Sequence, residues 1–197
     1  MSTVKVIIAE TDGLTVDRTK ELPFLRPEDI TTAGRYRKPQ DIVLHLVSAY
    51  LKRKYAGEWR VSEAGKPIAE GKCFNVSHTD GLVAIALADA DVGIDAERIR
   101  DADDETRAFI LSPEEKALLV TNEDFFRLWT AKESLVKADG AGFDRKPSEV
   151  PTPAANGKTE YKRKTYYSKQ TMIGDAVLTA TLRTAEPFEW EITKEIL

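Results

Sequence analysis

Three carboxylates of this 197-residue chain stand at positions whose local geometry follows from their spacing. Asp95 and Glu97 are two residues apart at the end of a predicted strand, so both side chains leave the same face of that strand. Glu133 lies in the middle of a segment with helical periodicity. If this helix packs across the strand, the three carboxylates converge, and their repulsion requires a bound cation or raised pKa values.

Oxygen ligands of this kind favour a hard ion, Mg²⁺ or Mn²⁺, over zinc. A simpler interpretation of the same residues stays open. Asp95 and Glu97 can end a strand within an acidic stretch, and Glu133 with Lys137 can form an ordinary i, i+4 ion pair on a helix.

A second group of residues has the types that bind a phosphate. Lys66 lies in a Gly-Lys-Pro turn, and Ser77 and His78 place a hydroxyl and an imidazole where a predicted strand ends. Lys137, one helical turn after Glu133, could reach the same phosphate. The alternative is a surface lysine, ordinary turn chemistry and a surface histidine.

Composition and charge limit the classes of function. The chain has 29 Lys+Arg against 33 Asp+Glu, a formal net charge of −4, which argues against nucleic acid as a partner. No apolar run is long enough to cross a membrane and no signal peptide is evident, so we expect a cytoplasmic protein. One cysteine and two histidines exclude an internal disulfide and a Cys/His-rich zinc site.

The elements that must position these residues follow from the hydrophobic pattern. The pattern predicts strands at 3–9, 59–63, 73–77, 82–88, 92–96, 159–168, 171–182 and 188–192. It predicts helices from Pro27 to Arg35, over 41–55, over 101–111, from a capping box at Ser112 to about residue 120, and a longer helix that is capped by Asn122 and ends near Gly140. The predicted inner stripe of this last helix is Phe125, Leu128, Trp129, Lys132 and Val136. The early strands follow one another too closely for βαβ crossovers, so the sheets should be largely antiparallel.

This order of elements predicts an α+β fold with two units, roughly 1–97 and 98–197. The first unit contains the anion-binding candidates with Asp95 and Glu97, and the second contains Glu133 on a long helix.

Four motifs resemble, in order and spacing, the Sfp-type 4′-phosphopantetheinyl transferases of the holo-acyl-carrier-protein synthase superfamily. They are 65–67 (GKP), 74–78 (FNVSH), 92–97 (VGIDAE) and 126–138 (FRLWTAKESLVKA), with Gly140 and Gly142 behind. The resemblance covers roughly residues 60–145, and its specificity comes from the paired blocks around Asp95 and Glu133.

The resemblance implies a monomer of two similar α+β halves, a pseudo-dimer, with coenzyme A in the cleft between them. Its Mg²⁺ ligands would be Asp95, Glu97 and Glu133, and its coenzyme A phosphate contacts would be Lys66, Ser77, His78 and Lys137. The implied reaction moves the phosphopantetheine arm of coenzyme A to a serine of an apo acyl or peptidyl carrier protein and releases adenosine 3′,5′-bisphosphate. Glu133 would also accept the serine proton, directly or through water, and Lys137 would offset developing charge.

Two features of this chain are not fixed by the resemblance. Many members carry an arginine or threonine facing the nucleotide where this chain has Leu44 and His45, and His45 could replace that contact or face solvent. Candidates for a carrier-docking surface are Leu118, Leu119 and Phe125, whose alternative role is helix-packing core.

Two other functions stay open at this point. A non-catalytic module that binds coenzyme A or a carrier protein would keep the fold without the transfer. A Mg²⁺-dependent nucleotide hydrolase is disfavoured by the lack of a Walker-type glycine loop.

Overall fold

The computed structural model describes residues 2–61, 67–119 and 121–197. Its strands are β1 Thr3–Glu10, β2 Trp59–Val61, β3 Pro67–Ala69, β4 Cys73–Thr79, β5 Leu82–Ala88, β6 Val92–Arg98, β7 Gly157–Tyr161, β8 Lys164–Ile173, β9 Ala176–Leu182 and β10 Glu189–Glu195. Its α-helices are α1 Val16–Lys20, α2 Pro27–Ala33, α3 Pro39–Leu51, α4 Asp104–Ile110, α5 Pro113–Leu118 and α6 Asn122–Asp139. A π-helical turn, Lys52–Ala56, extends α3.

The strands form two four-stranded sheets and one two-stranded ribbon. The first sheet has the order β10-β1-β5-β4, the second has the order β6-β9-β8-β7, and β2 pairs with β3. All these pairs are antiparallel except β1 with β10, which is parallel. The predicted α+β class with antiparallel sheets and a long helix is therefore confirmed.

One apolar core lies between the two four-stranded sheets. Alternate residues of β1, β5, β6 and β9 point into it, as the period of a strand requires. In β6 these residues are Val92, Ile94 and Ala96, each at most 1% exposed. Asp95 and Glu97 therefore leave the opposite face of β6.

Sheet membership differs from the predicted boundary between residues 97 and 98. All of β6 except Arg98 precedes that boundary, yet β6 pairs with β9. The strand β10 follows the boundary, yet it pairs with β1. Each predicted unit thus contributes one strand to the sheet that the other unit mainly forms, and the two sheets share a core. The division at this position, the similarity of the two halves and the cleft between them stay predictions.

Several element boundaries differ from the sequence prediction for local reasons. The predicted strand 159–168 is a hairpin that turns at Lys162 and Arg163, whose φ angles are 48° and 60°. Neither residue is one of the turn formers Gly, Asn or Asp, so the sequence lacked the usual signal. Thr121, rather than Asn122, caps α6 in a capping box with Asp124.

In the described ranges, none of the helices combines the length and the hydropathy that crossing a membrane requires.

Asp139, in the last turn of α6, forms hydrogen bonds with the β7–β8 hairpin. Its carboxylate accepts hydrogen bonds from Lys162 Nζ at 3.0 Å, Lys164 Nζ at 2.9 Å and the Tyr166 hydroxyl at 3.0 Å. Burial opposes the charge, but the bonds from Lys164, Lys162 and Tyr166 prevail and lower the pKa of Asp139 to about 2.

We expect Asp139→Asn to lower the free energy of unfolding by about 2 kcal/mol at pH 7. A lowered carboxyl pKa stabilises the fold above the unfolded pKa, so the difference should shrink as the pH falls from about 4 to about 2. Urea denaturation measures both effects. Asp144→Asn is the matched control, because Asp144 is 43% exposed and its ion pair with Lys162 is worth little. Equal stability of Asp139→Asn and the wild type at pH 7 would contradict this role.

Candidate active site

The site begins with the close approach of α6 to β6 at Gly93. A Cβ atom at this position would overlap the carbonyl oxygen of Ser134 and the backbone nitrogen of Ala138. Only a residue without a side chain lets the helix lie this close to the strand. This contact brings the middle of α6 over the face of β6 that bears Asp95 and Glu97.

Asp95 is the most buried carboxylate of the site, with a residue exposure of 3%. Its Oδ1 atom accepts hydrogen bonds from Lys137 Nζ at 2.6 Å and from the Ser77 hydroxyl at 2.8 Å. Its Oδ2 atom is buried and has no hydrogen-bond partner among the described residues. A buried carboxylate oxygen without a partner is unfavourable, so this atom requires a donor or a cation.

Glu97 lies nearer the surface and is held from two sides. Arg100 donates to its Oε2 atom from Nη1 at 2.8 Å, and the Thr79 hydroxyl lies 3.5 Å from the same oxygen. The Arg100 guanidinium also lies 4.8 Å from the centre of the Phe126 ring, a cation–π contact that orients it. Arg100 is a site residue that was not predicted from the sequence, although its place three residues after Glu97 was a usable signal.

Glu133 faces the other two carboxylates from α6. Burial, followed by the negative charges of Asp95 and Glu97, raises its pKa to about 7, against the opposing charge of Lys137. The repulsion predicted from the sequence is therefore present in the folded protein. At neutral pH this carboxyl group can both release and accept a proton.

The two titratable phosphate-binding candidates beside the carboxylates, Lys137 and His78, have opposite pKa shifts. Burial disfavours the charge of Lys137, but the nearby Asp95, Glu133 and Glu97 outweigh it and raise its pKa, so the ammonium persists. Burial and the positive charge of Lys137 lower the pKa of His78, so its imidazole is neutral at pH 7.

A cavity of about 230 Å³ joins these side chains. Its lining residues are Val76, Ser77, His78, Asp95, Glu97, Trp129, Glu133 and Lys137. Six of the predicted site residues thus meet in one place. A larger concavity of about 600 Å³ on β1, β5 and β10 contains none of them.

Two predicted contacts with coenzyme A are not in that cavity. Lys66 lies outside the described residues. The His45 ring packs against the Tyr36 ring with centroids 5.3 Å apart and an interplanar angle of 41°. Burial, together with the charge of Lys52, lowers the pKa of His45.

The residue types fit a hard divalent cation, although their arrangement must change to bind one. Within 2–61, 67–119 and 121–197, no three Asp, Glu, His or Cys side chains are arranged to hold a metal ion. Lys137 and Arg100 instead neutralise Asp95 and Glu97. The unpartnered Oδ2 atom of Asp95 and the raised pKa of Glu133 are the two signs that favour a cation.

Trp129 lines the cavity, whereas the helical periodicity predicts it only in the buried stripe of α6. Its indole stacks on Phe143 with centroids 5.9 Å apart and an interplanar angle of 2°. This contact ties the loop after α6 to the cavity wall. Aromatic residues in a helical stripe usually indicate core, so the periodicity gave no separate signal.

The three predicted docking residues have different environments. Phe125 is 1% exposed and packs in the core beside α4, so it cannot contact a partner. Leu119 is partly buried against the same cluster, and Leu118 is 78% exposed. Phe109 of α4 is 60% exposed, and the sequence did not indicate it as a candidate for the docking surface.

Part of the chain is similar to known proteins. Residues 91–181, which contain β6 and α6, match the model of the family described as the 4′-phosphopantetheinyl transferase superfamily. The chain is 34% identical over 125 residues to 4′-phosphopantetheinyl transferase gsp of Aneurinibacillus migulanus, covering 55% of this chain and 53% of that protein. It is 34% identical over 143 residues to 4′-phosphopantetheinyl transferase psf-1 of Bacillus pumilus, covering 61% and 60%.

These matches confirm the resemblance to the Sfp-type transferases, and they span little more than half the length of these relatives. Among solved structures, the chain is similar to the holo-[acyl-carrier-protein] synthase of Thermotoga maritima. That similarity has a TM-score of 0.40 and 19% identity, and it covers 47% of this chain and 62% of the other.

Proposed function

We propose that this protein transfers the 4′-phosphopantetheine arm of coenzyme A to a serine of an apo acyl or peptidyl carrier protein. The observation that supports this function best is the meeting of three carboxylates with Ser77, His78 and Lys137 in one cavity. Acidic and cationic groups in such proximity suit a pyrophosphate bound together with a divalent cation.

In the proposed reaction the serine oxygen forms a bond to the phosphorus that bears the pantetheine. The bond between that phosphorus and the bridging pyrophosphate oxygen breaks, and adenosine 3′,5′-bisphosphate leaves with the electron pair. Glu133 accepts the serine proton, directly or through a water molecule. Lys137 moves from Asp95 to the phosphate oxygens and offsets the charge that develops there.

Ser77 and His78 bind the phosphates from β4, and Lys66 and His45 are proposed as further contacts with coenzyme A. Asp95, Glu97 and Glu133 would hold Mg²⁺, with Mn²⁺ as a substitute. When bound, the cation neutralises pyrophosphate oxygens and so lowers the barrier to attack. A monomeric state and a cytoplasmic location stay predictions.

The test is incubation of the protein with coenzyme A, Mg²⁺ and separate apo carrier proteins of fatty acid, polyketide and nonribosomal peptide synthesis. We expect the intact mass of at least one carrier to rise by one phosphopantetheine, with one adenosine 3′,5′-bisphosphate released. A carrier whose acceptor serine is replaced by alanine should stay unchanged. Binding of coenzyme A without transfer to any carrier would instead identify a non-catalytic module.

The exposed side chain of Leu118 gives a prediction for carrier docking. Carrier proteins present a negatively charged helix, so we expect Leu118→Glu to raise the KM for the carrier about tenfold through lost apolar contact and repulsion, and to leave the KM for coenzyme A unchanged. Steady-state kinetics separate the two values. Ile196→Glu is the matched control, because Ile196 is 88% exposed near the chain end. Unchanged KM values for Leu118→Glu would exclude Leu118 from the docking surface.

A further inference from the structure

Side chains, rather than backbone pairs, join the two sheets beside the candidate active site. The strand β4 is an edge strand of the first sheet and β6 is an edge strand of the second, and the two lie next to each other. Three β4 side chains accept hydrogen bonds from β6 backbone N–H groups: Asn75 Oδ1 from Ile94 at 3.0 Å, Ser77 Oγ from Ala96 at 3.2 Å and Thr79 Oγ1 from Arg98 at 3.1 Å. These three bonds form a ladder with a period of two on both strands.

Two of the three rungs also contact carboxylates of the site. Ser77 donates to Asp95, and the Thr79 hydroxyl lies beside Glu97. Asn75 is different, because its hydrogen bond in the described structure goes to the backbone of Ile94 and not to a cavity side chain. It is 7% exposed, so this bond is shielded from water.

The rungs at Asn75, Ser77 and Thr79 are the side-chain bonds to β6 backbone N–H groups that align β4 with β6 in the described structure. No backbone ladder between the two strands occurs among the described residues, and sheet pairing therefore does not set their alignment. The contact between β4 and β6 is a seam between the two sheets. A shift of β4 along this seam would move Ser77 and His78 relative to Asp95. It would also leave the buried N–H group of Ile94 without an acceptor, which costs about 1–3 kcal/mol.

We propose that Asn75 is a positioning residue that fixes the register of β4 against β6, and thereby the distance between the phosphate-binding corner and the carboxylates. The inference rests on the proposed function, since it assumes that the phosphates of coenzyme A contact groups on both sides of the seam. Asn75 acts through Ser77, His78 and Asp95 and does not itself touch substrate.

Asn75→Val and Asn75→Thr form a matched pair, because the two side chains have nearly the same shape and only threonine retains an oxygen acceptor. Threonine already forms the third rung, at Thr79. We expect Asn75→Val to raise the KM for coenzyme A at least fivefold and to leave the KM for the carrier within twofold. Asn75→Thr should keep the KM for coenzyme A within threefold of the wild type.

A role in overall stability alone would reduce the folded fraction, and hence kcat, without changing either KM. The proposal is overturned if Asn75→Val has the wild-type KM for coenzyme A, or if Asn75→Thr is impaired as much as Asn75→Val.

A second measurement does not depend on the reaction. By NMR, the amide of Ile94 should exchange with solvent at least tenfold faster in Asn75→Val than in the wild type, while amides within β9 keep their rates. Wild-type exchange at Ile94 in that variant would refute the seam contact. If the wild-type protein modifies no carrier, the proposed function fails, and the exchange rates still decide whether Asn75 holds the seam.

Discussion

Replacing Glu133 by glutamine is expected to lower the rate of phosphopantetheine transfer on the order of 10³-fold. Glutamine keeps the shape of the side chain but can neither accept the serine proton nor supply a negative charge to a cation. The intact mass of the carrier, followed over time, gives the rate. Glu123→Gln is the matched control on the same helix, because Glu123 is 48% exposed and pairs with Arg127. Undiminished transfer by Glu133→Gln would remove Glu133 from the site.

The same substitution should stabilise the fold in the absence of divalent cations. The pKa of Glu133 is raised to about 7, so the folded protein becomes less stable as the pH rises from about 4.5 to about 7 and this carboxyl group ionises. Glutamine avoids this loss. We expect Glu133→Gln to be more stable than the wild type by about 1–2 kcal/mol at pH 8 in EDTA, after allowance for partial exposure, and equally stable at pH 4.

Chemical denaturation at the two pH values measures this difference. A variant that is less stable than the wild type at pH 8 would show that the repulsion among the carboxylates is compensated by other contacts. Activity and stability thus change in opposite directions at one residue, as expected where a functional site stores unfavourable charge.

Replacing Gly93 by alanine is expected to have the second largest effect. Its Cβ atom would overlap backbone atoms of Ser134 and Ala138, which cannot rotate away, so α6 must move from β6. We expect the free energy of unfolding to fall by about 3 kcal/mol or more and transfer to fall at least 100-fold. Denaturation and the carrier assay measure the two losses.

Gly34→Ala is the matched control for this prediction. At Gly34 a Cβ atom would lie 3.4 Å from its nearest neighbour, an ordinary contact, and the backbone has a negative φ of −63°. This variant should keep wild-type stability and activity. Wild-type behaviour of Gly93→Ala would show that the close approach of α6 does not position Glu133 and Lys137.

The sequence predicted the parts of the site that depend on local periodicity. The alternation in β6 places Ile94 and Ala96 in the core and Asp95 and Glu97 on the other face, and the structure confirms this. The helical period likewise places Glu133 and Lys137 on one face of α6. Such features follow from strand and helix geometry, and they need no knowledge of distant contacts. That this face of α6 packs against β6 was only a condition of the sequence prediction, and the structure meets it.

The parts that the sequence did not reveal depend on contacts between distant elements. The parallel pairing of β10 with β1 joins the two ends of the chain, and neither strand carries a signal for its partner. By sequence, Asn75 lies in a predicted strand and Thr79 in the turn after it, and neither position indicates a bond to β6. Lys162 and Arg163 turn with positive φ angles that their residue types do not favour.

The most direct test of the site is the Mg²⁺ dependence of carrier modification by the wild type and by Asp95→Asn. The measurement is the intact mass of one accepted apo carrier after incubation with coenzyme A, with Mg²⁺ or with EDTA. We predict complete conversion to the phosphopantetheinylated carrier by the wild type with Mg²⁺, and at least a 100-fold slower reaction in EDTA or with Asp95→Asn. Equal conversion in all three conditions would contradict the proposal that Asp95, Glu97 and Glu133 form a cation-dependent site for this reaction.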